Sequence, residues 1–80
     1  MVKRTIDEKI ILQVFEIAKK TGDPQSEVSI EKVSEILKIT QRQQDNIIKT
    51  LKRTGFLKQH EETSICLTPK GIKLAEELLS

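Results

Sequence analysis

The chain contains no tryptophan or tyrosine and only two phenylalanines, Phe15 and Phe56, so its core has to be built from isoleucine, leucine and valine. Eighty residues form one domain, 1–80, and folding at this size buries only about 60–65% of the unfolded chain's surface, too little for a deep ligand pocket. Cysteine is nearly absent. Cys66 stands alone, which rules out an internal disulfide and leaves nothing to argue for an oxidising compartment. Long apolar runs are missing too. The basic start Met1-Val2-Lys3-Arg4-Thr5 leads into a stretch interrupted by Asp7, Glu8, Lys9, Gln13 and Glu16, which excludes a signal peptide or a membrane span. A soluble cytoplasmic protein is expected.

Catalytic and metal-binding patterns are also lacking. No nucleophile stands beside a base, no glycine-rich loop could cradle a phosphate, and the acids are scattered as solvated helix partners. His60 and Cys66 lie on either side of one turn as possible metal ligands, but a structural site normally needs four. No enzyme activity, cofactor, metal or small-molecule substrate is expected.

Charge is present, and its placement says more than its sum. The formal net charge is only +2. Between Lys38 and Lys58, however, Lys38, Arg42, Lys49, Lys52, Arg53 and Lys58 face one acid, Asp45, so this third carries +5 and the remainder −3. Such concentration on one segment is the electrostatic footprint expected of a polyanion-binding surface.

Periodicity and turn chemistry divide the chain. Thr5 with Glu8 three residues on is a capping-box start, and Ile6, Ile10, Ile11, Val14, Phe15, Ile17 and Ala18 recur at helical spacing, which predicts a first helix over 5–20. Six of its apolar residues spread over about 240° of the circumference, wider than a one-sided stripe of ~100–140°. Such a helix buries two faces. The second meets another subunit or, alternatively, the helix is central and wrapped by its own chain. Gly22, Asp23-Pro24 and Ser26 mark a loop, and Val28-Ser29-Ile30 a short edge strand. Val33, Ile36 and Leu37 predict a two-turn helix from about Glu31, with Ser34 as a small residue where a crossing helix approaches. After the turn Lys38-Ile39-Thr40, a third helix over Gln41 to about Arg53 or Thr54 buries Ile47, Ile48 and Leu51; Thr40 caps it and Gly55 stops it. Phe56 to His60 and Ser64 to Leu67 form a hairpin (56–67) joined by Glu61-Glu62-Thr63. Thr68 as cap and Pro69 at the first helical position open a last helix over 69–79.

Ile30 to Leu78 resembles the winged helix-turn-helix domains of prokaryotic transcription regulators, particularly MarR-like and related small repressors. Ile30, Val33-Ser34, Ile39-Thr40, Ile48, Leu51, Gly55-Phe56-Leu57 and Leu67-Thr68-Pro69-Lys70-Gly71 carry the resemblance. It implies a mainly α fold with a small β-hairpin (α+β), in the order α-(β)-α-α-β-β-α, with the helix-turn-helix over 31–54 and the hairpin as wing. Three positions depart from the pattern. Lys38 stands where relatives often have glycine, which implies a left-handed backbone at a cost of order 1 kcal/mol. Gln44 replaces an apolar residue and is expected to pack loosely or to hydrogen-bond across the helix pair. The wing tip is Glu61-Glu62 where relatives carry arginine or lysine, so this wing is not expected in the minor groove.

The resemblance implies a homodimeric transcriptional regulator that binds double-stranded DNA sequence-specifically. Its third helix would enter the major groove, and pairing through the first and last helices would set two such helices ~34 Å apart. Gln41, Arg42, Gln43 and Asn46 supply the side-chain types that read base edges; Thr40, Lys49, Lys52, Arg53 and Lys58 suit phosphates. A rival reading, a winged-helix protein-interaction module without DNA binding, draws on the acidic wing and weak net charge. A third, structured RNA, would rest on shape and backbone alone.

Overall fold

Residues 5–79 are described by the computed structural model, so the basic start Met1 to Arg4 lies outside the described residues. The elements run α1 (Ile6–Lys20), β1 (Val28–Ser29), α2 (Ile30–Leu37), α3 (Gln41–Arg53), β2 (Leu57–Glu61), β3 (Ser64–Leu67) and α4 (Pro69–Leu79). This is the mainly α winged-helix order expected. The strands form one antiparallel sheet in the order β1-β3-β2.

Helix α1 begins where its cap says it should. Thr5 Oγ1 accepts from the Glu8 N–H, and Glu8 Oε1 accepts from the Thr5 N–H at 2.9 Å, so Thr5 is the cap, as its spacing to Glu8 predicts, and Ile6 is the first helical residue. Ile10, Ile11, Val14, Phe15 and Ala18 are buried, and α1 packs against α2, α3, α4, β1 and β3. Its own chain covers these five residues. Ile6 nevertheless stays exposed, with Leu12 and Ile17 half-buried. Each fully buried isoleucine or valine here contributes roughly 1.5–3 kcal/mol.

The edge strand β1 pairs Val28 with Ile65 and Ser29 with Ser64. Ile30 then donates its N–H to the Thr63 carbonyl at 2.8 Å. That bond satisfies one of the donors a helix start leaves open, so α2 begins at Ile30, one residue ahead of the expected Glu31. Its end is a left-handed Lys38 (φ 55°, ψ 42°), as the missing glycine implied. Ser34 also clasps the turn: its carbonyl accepts from Ile39 N and its hydroxyl donates to the Ile39 carbonyl at 3.0 Å.

Helix α3 ends at Arg53 with Thr54 as cap, one residue short of the outer limit expected. Gly55 takes φ 86°, and the N–H groups of Gly55 and Phe56 return to the carbonyls of Lys52 and Leu51. Phe56 is therefore not part of the wing strand. Its N–H serves the helix end and its carbonyl accepts from Thr68 N, so β2 starts at Leu57. At the far end a bulge at His60, between Gln59 and Glu61, carries β2 one residue further than expected. Glu61 lies in the strand, and Glu62-Thr63 makes the turn.

The sequence Leu67-Thr68-Pro69-Lys70-Gly71 locks α4 onto the end of α3. Thr68 Oγ1 accepts from Gly71 N at 3.1 Å and donates to the Gly55 carbonyl. Lys70 Nζ reaches the Thr54 carbonyl at 2.9 Å and lies 4.7 Å above the Phe56 ring. Gly71 is buried, and a β-carbon there would lie 2.1 Å from the Phe56 carbonyl oxygen. Backbone has to touch backbone at this point.

Alanine is the better helix former by about 1 kcal/mol, yet Gly71→Ala should destabilise the fold by roughly 1–3 kcal/mol through this clash. Urea unfolding followed by circular dichroism measures it, and a raised midpoint would contradict the lock.

Candidate nucleic-acid interface

Helix α3 is packed on one side and exposed on the other. Thr40 Oγ1 accepts from Gln43 N at 3.2 Å, and Gln43 Oε1 accepts from Thr40 N at 3.3 Å, a second capping box. Lys52 and Arg53 occupy the last turn, where cations complement the helix dipole. Gln44, Ile48 and Leu51 are buried and Ile47 is half-buried. On the opposite side Arg42, Asn46, Lys49 and Arg53 follow at intervals of four, three and four, which places them on one stripe. All four are exposed. The result is a ridge carrying three cations and one amide, about 20 Å long.

The other expected site residues divide differently. Thr40 and Gln41 are exposed at the helix start. Gln43 is exposed as well, but its carbonyl oxygen is held in the cap, which leaves only its amide N–H group for an outside partner. Lys52 donates to Gln59 Oε1 on β2, and Gln59 Nε2 donates to the Glu62 carbonyl at 3.1 Å. Lys52 thus braces the wing against α3, a part that spacing along the chain could not reveal. Lys58 is exposed on β2. Strand alternation sets it on the face opposite Leu57 and Gln59.

Beside the ridge lies a feature of the opposite sign. Glu31 and Glu35 from α2, Asp45 from α3 and Glu62 from the wing turn border one cleft, floored in part by Gln44. Glu31 and Glu35 share a helix face by their spacing, but the approach of Asp45 and Glu62 depends on tertiary packing. Gln44 is 2% exposed and its Oε1 has no hydrogen-bond partner. The bond across the helix pair expected of this residue is therefore not made by that oxygen. His60 Nε2 contacts Glu27 Oε1 at 2.8 Å with both side chains about half exposed, and Cys66 is half-buried.

No protein-family model matches the chain, and no curated protein matches it. Solved structures do. Bordetella bronchiseptica BpsR, whose DNA binding is regulated by 6-hydroxynicotinic acid, is 24% identical over 96% of this chain and 53% of its own, with a TM-score of 0.71. AF1382 from Archaeoglobus fulgidus is 20% identical over 91% of this chain and 79% of its own, with a TM-score of 0.73. MepR, a transcription regulator of the Staphylococcus aureus multidrug efflux pump MepA, is 20% identical over 94% of this chain and 55% of its own, with a TM-score of 0.71. The chain thus spans about half the length of BpsR and MepR. The chain shares its winged-helix fold with these structures.

The cap sets where the ridge begins. Thr40→Ala should cost about 1 kcal/mol of stability and speed amide exchange in the first turn of α3 while leaving α4 protected. Exchange unchanged at Gln43 and Gln44 would show that the capping box contributes nothing to holding the ridge.

Proposed function

We propose that this chain is a sequence-specific double-stranded-DNA-binding module of a transcriptional regulator, acting in the cytoplasm by binding and not by catalysis. The carrying observation is the exposed stripe Arg42-Asn46-Lys49-Arg53 on a helix whose opposite side is buried. A helix of this size enters the major groove, where arginine pairs with guanine O6 and N7 and asparagine with adenine N6 and N7. Arg42 and Asn46, nearer the N-terminal end, take the base edges together with Gln41. Lys49 and Arg53 take phosphates, and Thr40 and the N-terminus of α3 add an anchor. The likeness to MepR and BpsR supports this assignment.

The functional unit is a homodimer joined through α1 and α4. These helices pack against one another and carry the exposed Ile6 and Leu79 at their outer ends, apolar surface that a second copy would cover. Two ridges about one DNA turn, ~34 Å, apart then read a palindromic site. The acidic cleft beside the ridge favours a second reading, docking to another protein; salt-insensitive binding, or no binding, to duplex DNA would select it.

Arg42→Ala should weaken binding to a selected site by roughly 1–3 kcal/mol and blur its sequence preference, whereas Lys49→Ala should weaken all sequences alike and lower the salt slope by about one. Fluorescence anisotropy on a site selected from random duplexes, at two salt concentrations, separates the two. Equal effects of both variants on every sequence would remove Arg42 from base reading. Sedimentation at tens of micromolar is expected to show a dimer; monomer alone would remove the palindrome.

A further inference from the structure

We infer that Gln59 is a positioning residue for DNA binding: it holds the acidic wing turn off the lysines at the edge of the ridge, so that Lys49 stays free for phosphate. The inference rests on the DNA-binding role proposed above and names what keeps that surface open.

Strand alternation places Gln59 in one row with Leu57, and it stands opposite Ile65 in the sheet. Leu57 and Ile65 are buried, whereas Gln59 is half-buried. An apolar residue would extend this row at less cost, since a partly desolvated amide has to find partners for both its oxygen and its nitrogen. Gln59 finds them on two different elements. Its Oε1 accepts from Lys52 Nζ near the end of α3, and its Nε2 donates to the Glu62 carbonyl in the wing turn at 3.1 Å. The next carbonyl, that of Thr63, accepts from Ile30 N at the start of α2. Two successive carbonyls of the turn are therefore tied down, one to α2 and one, through Gln59, to α3.

Charge explains why the tie matters. Asp45, Lys49, Lys52 and Glu62 border one groove between α3 and the wing turn, with Gln59 among them. Two acids and two bases share this opening, yet among the described residues none of the four is ion-paired with another. A neutral oxygen orients the Lys52 ammonium, and the same amide fixes the backbone from which the Glu62 side chain projects. Without that amide the Glu62 backbone is released from α3. Its carboxylate is then drawn to the lysines of the groove, where partial exclusion of water strengthens the attraction between opposite charges. A pair made there occupies a cation that a phosphate needs, and DNA has to displace it before binding.

The test measures duplex binding by the full chain, using fluorescence anisotropy over a series of salt concentrations. Gln59→Met has nearly the parent's length and volume but makes neither bond, and urea unfolding reports that it folds. It should weaken binding to all sequences alike, by roughly three- to tenfold near ~0.1 M salt, and lower the salt slope by about one. Glu62→Gln alone should leave the slope at the parent's value, because that carboxylate is already held away. Added to Gln59→Met, it should restore both slope and affinity. In a Lys49→Ala background, Gln59→Met should lower the slope no further. Gln59→Asn, polar but too short to reach both partners, should act as Gln59→Met does and carries the test if methionine unsettles the sheet. A loss that Glu62→Gln does not repair makes Gln59 a packing residue and overturns the inference. A parent that binds no duplex removes the DNA-binding role and this one with it, whereas a parent that binds while the Gln59 variants keep its slope removes this one alone.

Discussion

The C-terminal end of α3 is held by α4 through contacts that almost all involve backbone. Thr68 joins the Gly55 carbonyl to the start of the last helix, Lys70 caps the Thr54 carbonyl while covering Phe56, and Gly71 lets the Phe56 carbonyl come within a distance that no other residue permits. Side-chain packing alone would leave α3 free to roll, since its buried stripe is narrow: Ile48, Leu51 and a glutamine. With the lock in place, the rotation of α3 about its axis is set, and with it the outward direction of Arg42, Asn46, Lys49 and Arg53. Capping boxes at Thr5 and Thr40 do the same for the other ends of the helices, at about 1 kcal/mol each.

Electrostatics divides this surface in two. The ridge is cationic and the cleft beside it anionic, so attraction to a polyanion is concentrated on a narrow band instead of spread over the domain. Opposite charges within a Debye length of about 10 Å weaken one another's long-range field. The long-range field outside the ridge is thereby reduced, which raises the relative weight of short-range contacts. Lys52 shows the same economy of free charge, since its ammonium is directed to Gln59 and steadies the wing.

Much of the fold was legible because its determinants are local. Thr5 and Glu8, Thr40, and the Thr68-Pro69 pair announce helix starts within four residues, and Gly55 announces an end. The left-handed Lys38 was legible only by resemblance, as a lysine where glycine is usual. What could not be read depends on contacts between distant segments. Ile30 joins α2 because Thr63, far along the chain, satisfies its N–H. Phe56 leaves the wing for the lock because Thr68 claims its carbonyl. The gathering of Asp45 and Glu62 at one opening appears only when the wing has folded back beside α2 and α3.

The sheet has two open edges, and each is blunted. β1 is only two residues long, too short to template an incoming strand. β2 is interrupted by the bulge at His60 and carries Lys58 and Glu61, so its free edge is twisted and charged. Strand-by-strand addition, the usual route from a small β-hairpin to fibrils, finds no flat run of unpaired backbone here. Crowding of this domain therefore does not by itself extend its sheet from copy to copy.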